Sequence, residues 1–585
     1  KQERHPSGCL FCVQTGAESL LSSDGRNAKK SAALGGVPEG VNIAAFLPEG
    51  ASRHPDASAV VSPGPGGRGW TVLSYAELEE RSNRIAAGLA AEGVEKGMRV
   101  CLFVRPGPDL IAITYAAFKL GAVPVLADPG MGRQRLLAAV ERMAPEVFIG
   151  VPAAHVVRSL FRAPFRSVQV FVTVGRRLAW GGTTLARLER TGAPDPVLEP
   201  TRHDDPAAIL FTSGSTGPPK GVLYTHGMFH AQVTGLRAIY GFEPGEIDLA
   251  CFPLFALFDI AFGMTSVFPD MDVTRPARCE PEKIVRAIQE CGATTAFGSP
   301  AIWRRVLPHC RAQGVKLDGL RRLLMAGAPV PPDLIQDAHA VLSLDAAVHT
   351  PYGATESLPV ASVAGREVVP GLLKALRNGA GTCVGRPSPT IQIQLIGITD
   401  EPIERWSDDL ALGLGEVGEI CVRGPVVTAD YAEDAAATAG AKIPCEDGTV
   451  WHRIGDVGRF DSEGRLWFMG RKSHRIETPR GVRMPVPLEN IFNQHPRAAR
   501  TALVGVGPRG EEVPFCIVEA LPGEHPKSDV MTQGFIMQLR EIGRKVARSA
   551  DIEHFLFHPG FPVDPRHNAK IHREELKAWA EQQVR

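Results

Sequence analysis

Residues 210–226 read LFTSGSTGPPKGVLYTH. Glycines and hydroxyl residues fill this stretch, and one cation, Lys220, follows them. Gly214 and Gly217 let backbone N–H groups approach an anion. Thr212, Ser213, Ser215 and Thr216 add hydroxyl donors, and Lys220 adds a point charge. The loop is suited to phosphate. Its order excludes the usual phosphate-binding fingerprints, because two prolines precede Lys220 and Gly221 follows it, where a P-loop needs Gly-Lys-Ser/Thr. VLYTH after the loop reads as a strand, as does AILF before it, and a helix is predicted to begin near Thr225. The unit is therefore strand–loop–strand, unlike the strand–loop–helix of a P-loop enzyme. Neither a G-x-G-x-x-G dinucleotide turn nor a G-x-S-x-G nucleophile elbow is present in it.

The surrounding chain alternates helical and strand-like segments. Ser74–Gly93 has a Ser N-cap and apolar spacing of three and four; Arg99–Val104 reads as a buried strand. PDLIAITYAAFKLG, AVPVLAD, PEKIVRAIQECG and ATTAFG continue the pattern. The alternation predicts an α/β fold, with a large N-terminal domain of stacked α/β layers over residues 41–470 and mostly parallel sheets. Segments shorten after residue 470, so a small C-terminal α+β domain is expected over 471–585. Residues 1–40 lack clear periodicity and read as an extension or tag outside the fold.

Composition narrows the function classes. With 585 residues, more than one domain is expected. Lys+Arg and Asp+Glu both number 64, which gives no electrostatic case for a nucleic-acid partner. The eleven cysteines read mostly as reduced thiols of a cytoplasmic protein, and the pair Cys9 and Cys12 lacks the companions of a zinc site. No uncharged apolar stretch reaches the length of a spanning helix. The nearest, Leu249–Pro269, reads either as buried core or as the wall of an apolar pocket, and the two are compatible.

Three further stretches complete the reading: HTPYGATES at 349–357, VWHRIGDVGRFDSEGRLWFMGRK at 450–472 and PVDPRHNAKIHREEL at 562–576. With the loop, in this order, they resemble the adenylate-forming superfamily of acyl-CoA synthetases, peptide-synthetase adenylation domains and luciferase over roughly residues 45–580. The resemblance implies ATP and Mg²⁺ as cofactors, a carboxylate substrate activated as an acyl-adenylate, and a mobile C-terminal domain. By the same resemblance Thr212–Lys220, including Ser213, Gly214, Ser215, Thr216 and Gly217, wraps the β- and γ-phosphates. In Tyr352-Gly353-Ala354-Thr355-Glu356 the Tyr stacks on adenine, Thr355 touches the α-phosphate and Glu356 holds the metal. Gly327-Ala328-Pro329 lies beside the adenine, Asp456 accepts the ribose hydroxyls, Arg471 reaches the same ribose, and Lys570 is the catalytic lysine.

The chain departs from the common pattern where thioester-forming members act on coenzyme A. Ala256 stands where the family often has His, Ser473 occupies the hinge position commonly Asp or Lys, and Asn568-Ala569 replaces Ser-Gly before Lys570. The combination looks most like the β-lactone synthetases of bacterial olefin biosynthesis. That likeness implies a long-chain 2-alkyl-3-hydroxy acid whose own hydroxyl displaces AMP. Phe255, Ala256 and Phe258 are then expected in the alkyl pocket. The family likeness also suggests assembly with neighbouring pathway enzymes. A long-chain fatty-acyl-CoA synthetase or fatty-acid AMP ligase is the alternative. His226, His230 and Asp259 are unranked candidates for the base that takes the hydroxyl proton.

Overall fold

The computed structural model describes residues 41–126, 131–211, 219–563 and 571–584. The expectations for residues 1–40, Thr212–Gly217 and Lys570 lie outside these residues. Local sequence signals set the elements where they were expected. Ser74 caps the helix Tyr75–Ala91: its Oγ accepts from Glu77 N at 3.2 Å, and Glu77 Oε2 accepts from Ser74 N at 2.8 Å. The strands Pro206–Phe211 and Gly221–Thr225 pair antiparallel, and Thr225 caps the helix His226–Tyr240 by accepting from Met228 N. The strand–loop–strand unit is thus followed at once by its helix.

Two sheets carry the large part of the molecule. One has eight strands. Thr183–Thr184, Val170–Thr173, Val147–Gly150, Arg99–Phe103, Val123–Leu126 and Pro206–Phe211 are parallel neighbours in that order, closed by Gly221–Thr225 and Tyr431–Ala432. The other has fourteen strands and two halves. Its parallel half runs from Ser58–Pro63 through Thr265–Val267, Ile247–Ala250, Thr295–Gly298 and Arg322–Met325 to Ala347–Ala354. Its other half, from Ser357–Ala364 to Leu466–Arg471, is antiparallel throughout. In this sheet the mostly parallel pairing that was expected gives way to antiparallel pairing after residue 354. The reason is connection length: Ala347–Ala354 turns straight into Ser357–Ala364, and so short a link cannot carry a parallel crossover.

After Arg471 a separate three-stranded sheet forms from Ala498–Val506, Val513–Ala520 and His554–Phe557. It has its own core, in which Phe492, Leu503, Cys516, Phe535 and Leu539 are buried. Polar contacts join it to the rest: Asn490 Nδ2 donates to Gly381 O (3.1 Å), Gln494 Nε2 to Arg377 O (2.7 Å) and Arg548 Nη1 to Gly379 O (2.5 Å).

The apolar stretch 249–269 satisfies both of its readings. The helix Ala256–Phe262 buries Ala256, Asp259 and Ile260 on one side, spaced three and four apart, while Phe255 and Phe258 line a cleft. Ala256, expected in the pocket, is fully buried behind that wall and does not line it, because one residue of helix turns the side chain away. Behind the wall Asp259 accepts from Ser266 Oγ at 2.7 Å and confronts Asp248; both carboxyls are fully buried. Burial holds both well above the usual carboxylate range, and the like charge of Asp259 adds to the shift of Asp248. Each therefore keeps its proton to higher pH folded than unfolded. Their contribution to stability is complete below about pH 4, the unfolded range, and is lost as pH rises through the raised folded values. Asp248→Asn removes the like charge. Thermal melting at pH 6 and pH 9 is expected to show a smaller alkaline loss in this variant than in the parent, and an unchanged loss would acquit the pair.

Candidate active site

A cleft of about 2700 Å³ runs between the two sheets and the C-terminal part. One sheet pairing aligns two of the expected residues: Asp456 and Arg471 are direct partners across the strands Val450–Phe460 and Leu466–Arg471. Arg471 Nη1 lies 3.1 Å from Asp456 Oδ1 and also donates to Ile454 O. The Asp456 carboxylate holds the Arg471 guanidinium above its ordinary pKa. From the last parallel strand, Tyr352 donates its hydroxyl to Asp456 Oδ2 at 2.6 Å. Burial and the neighbouring carboxylate keep that phenol protonated. Tyr352 thus presents a fixed ring beside a carboxylate that faces the cleft.

The turn after Tyr352 carries the next group. Gly353 is required there, since a Cβ would meet Ser357 O at 2.8 Å and Leu358 Cδ1 at 2.9 Å. The turn brings Thr355 and Glu356 to the cleft wall. Glu356 Oε1 accepts from Tyr431 Oη at 2.6 Å, and its backbone oxygen accepts from Thr428 N at 3.0 Å. Tyr224 Oη donates to Thr355 O. Lys220 Nζ stands 4.8 Å over the Tyr431 ring, which places this cation beside Glu356's partner. Gly327, with φ +88°, turns the chain after the strand Arg322–Met325 and sets Ala328 and Pro329 on the same cleft wall. The described residues among the expected nucleotide ligands therefore converge on one surface.

The sequence reading missed several supports. Tyr431 and Tyr224 hold Glu356 and Thr355 from strands far along the chain. Lys442 lies buried nearby, its Nζ donating to Thr428 Oγ1 (3.0 Å) and Thr428 O. Burial pushes its ammonium down to about 7, against the pull of Glu356. No sequence pattern distinguishes these residues; Tyr431 is brought in by the pairing of Tyr431–Ala432 with Gly221–Val222, which only the fold reveals.

At the end of the strand Leu466–Arg471, Ser473 is exposed and borders the cleft. Its neighbour Lys472 is fastened, with Nζ 3.0 Å from Glu419 Oε1 and donating to Thr399 O at 2.8 Å. Glu419 also receives Arg453 at 2.7 Å, with both side chains almost fully buried. From the last described segment, Ile571 and Arg573 line the cleft, and Arg573 forks onto Glu489 at 2.5 and 2.8 Å. The three candidate bases do not line the cleft. His226 accepts from Ile43 N at 3.1 Å and burial pushes it down to about 4; His230 packs on Phe46; Asp259 sits behind the wall. Among the described residues no cluster of three or more His, Cys, Asp or Glu could hold a metal ion. A hard cation would have Glu356 as its protein ligand and would take its remaining oxygens from a bound polyphosphate, a donor set that fits Mg²⁺.

An AMP-binding enzyme family matches residues 47–432. Over 551 residues the chain is 49% identical to an olefin beta-lactone synthetase of Stenotrophomonas maltophilia, covering 92% of this chain and 98% of that one. It is 48% identical over 554 residues to an olefin beta-lactone synthetase of Xanthomonas campestris pv. campestris, covering 93% and 98%. Among solved structures it resembles the amide bond synthetase McbA from Marinactinospora thermotolerans, with TM-score 0.74 and 22% identity over 92% of this chain and 99% of that one, a likeness of fold. With the strands Pro206–Phe211 and Gly221–Thr225 reaching the cleft through Leu210, Phe211 and Tyr224, this chain belongs to the AMP-binding, adenylate-forming enzyme family.

Proposed function

We propose that this enzyme activates a long-chain 2-alkyl-3-hydroxy acid with ATP and closes it to a β-lactone. The observation that carries the proposal is one continuous cleft. It joins the Tyr352, Glu356 and Asp456 cluster to an apolar wall of Phe255, Phe258, Phe268 and Phe297. Likeness to two olefin beta-lactone synthetases over nearly their whole length supports it.

In the first step a carboxylate oxygen attacks the α-phosphorus of ATP. The new O–P bond replaces the bond to the β-phosphate oxygen, and pyrophosphate leaves. Lys220 and the hydroxyl loop 212–217 serve the departing phosphates, with Lys570 supplying positive charge at the α-phosphate and carboxylate. Asp456 and Arg471 orient the ribose, and Tyr352 supports the base. Mg²⁺ bound to the nucleotide supplies charge neutralisation at the phosphates. In the second step the β-hydroxyl oxygen attacks the acyl carbon. The C–O bond to AMP breaks, AMP departs with the electron pair, and the hydroxyl proton is released. Tethering of the nucleophile supplies the proximity that a bound thiol would otherwise need. Between steps, the part following residue 471 turns about Ser473. Assembly with neighbouring pathway enzymes belongs to the same reading.

With ATP, Mg²⁺ and a 2-alkyl-3-hydroxy acid, lactone and AMP are expected without coenzyme A; a product that forms only with coenzyme A would favour the acyl-CoA ligase alternative. Lys570→Ala should slow adenylate formation about 100-fold or more, the scale of one lost transition-state donor, and near-normal turnover would remove Lys570 from the mechanism. Tyr431→Phe takes away the hydroxyl that holds Glu356. Its loss, roughly 1.5–3 kcal/mol for a hydrogen bond to a charged group, should raise the Mg²⁺ concentration needed for half-maximal pyrophosphate release, and an unmoved requirement would separate Glu356 from the metal.

A further inference from the structure

Charge in this chain balances overall, but not everywhere. Residues 147–188 contain no Asp or Glu and six arginines: Arg158, Arg162, Arg166, Arg176, Arg177 and Arg187. The fold gathers most of them at one edge of the eight-stranded sheet. The helix Pro152–Leu160 packs against the segment 175–182: Arg158 Nη2 donates to Trp180 O at 3.1 Å, and His155 stacks on Trp180 with ring centres 5.4 Å apart. Arg162, Arg166, Arg176 and Arg177 are exposed there. Among the described residues the only carboxylate within 4.0 Å of these four is Glu141, 4.0 Å from Arg166, with both side chains exposed. Such a pair contributes little.

Large apolar side chains stand out among these cations. Leu160 is 72% exposed, Leu178 58%, Val156 46% and Phe161 37%. Single exposed leucines occur elsewhere on this surface, as at Leu344 and Leu414, but a face that groups arginine with protruding leucine and phenylalanine suits the interface of a bilayer. The cations match anionic headgroups, and the apolar tips match the acyl boundary beneath them. Among the described residues no helix is long and apolar enough to cross a membrane, so the contact would be peripheral. The inner side of the same helix meets the cleft, where Val151 and Ala154 line it together with Leu102 and Leu126. One short helix therefore separates the cleft's apolar lining from the exposed arginine–leucine face.

We propose that residues 152–166 and the segment 175–182 dock this enzyme on an anionic lipid surface, and that the alkyl substrate reaches the cleft along the inner side of the helix Pro152–Leu160. The docking stands on the surface alone; the passage of substrate rests on the function proposed above. The test is sedimentation of the full chain with phosphatidylcholine vesicles, with and without phosphatidylglycerol. Binding is expected only with phosphatidylglycerol and should weaken as salt is raised. Replacing Arg162, Arg166, Arg176 and Arg177 by Gln should lower the partition by about six hundredfold, since each arginine near an anionic surface contributes about fivefold. Leu160→Ser with Leu178→Ser should lower it further, while pyrophosphate release with a short-chain acid stays unchanged in both variants. No binding to either vesicle, equal binding to both, or undiminished binding by the arginine variant would overturn the docking; the first of these would point to an acidic protein partner. Vesicle binding that persists in a chain making no lactone would instead count against the proposed reaction.

Discussion

A side-chain tie at Asp456 links the two halves of the large sheet, beyond the backbone pairing of Ala347–Ala354 with Ser357–Ala364. Tyr352 reaches Asp456 from the last parallel strand, and Arg471 meets it from the antiparallel half. The parallel half supplies the loops that face the cleft, as strand ends in such sheets do. The antiparallel half supplies a carboxylate and a guanidinium at matched register. Neither half alone would present an aromatic ring, a carboxylate and a cation to one small volume. The hydrogen bonds to Asp456 involve a charged acceptor, which makes them stronger than neutral ones and more costly to break when buried.

Around that junction the side chains are arranged by partners rather than by their own flexibility. Glu356 is steered by Tyr431, and the turn that carries it is fixed by Tyr224 and by the tight packing at Gly353. Lys442 lies beneath, buried and hydrogen-bonded to Thr428, so that its charge acts on Glu356 without reaching the cleft. An anionic nucleotide would meet Lys220 and Arg471 at the surface, with two oriented carboxylates between them.

Much of this was legible because local chemistry wrote it. Ser74 and Glu77 announce a capped helix, and Thr225 announces the one that follows the phosphate loop. The strand after Lys220 was enough to set aside a P-loop, and the structure has that strand. The quoted motifs matter because the fold sets Asp456 and Arg471 in register on adjacent strands and brings Tyr352, from another strand of the same sheet, against Asp456. What stayed hidden depends on distance. Tyr431 touches Glu356 across 75 positions and Tyr224 touches Thr355 across 131, and nothing near any of them marks the pairing. The antiparallel half was missed for a different reason: several of its strands are joined by segments as long as the crossovers of a parallel sheet, some with helices in them, so connection length does not betray their direction. Ala256 was misjudged through its neighbours, since a stretch that lines a pocket also has a back.

The fastening at Lys472 bears on the rotation proposed for the C-terminal part. Lys472 and Arg453 share Glu419 in a nearly dry setting, where removing one partner strands a buried charge. One residue later the chain is exposed at Ser473. On the far side, Asp400 is held by Arg475 at 2.5 Å and Arg509 at 2.6 Å, with Asp400 and Arg509 well exposed. Water and salt can replace contacts of that kind at little cost. A rigid axle thus stands beside a weak latch. Ionic strength would set how often the latch opens, while the axle keeps every opening on the same arc.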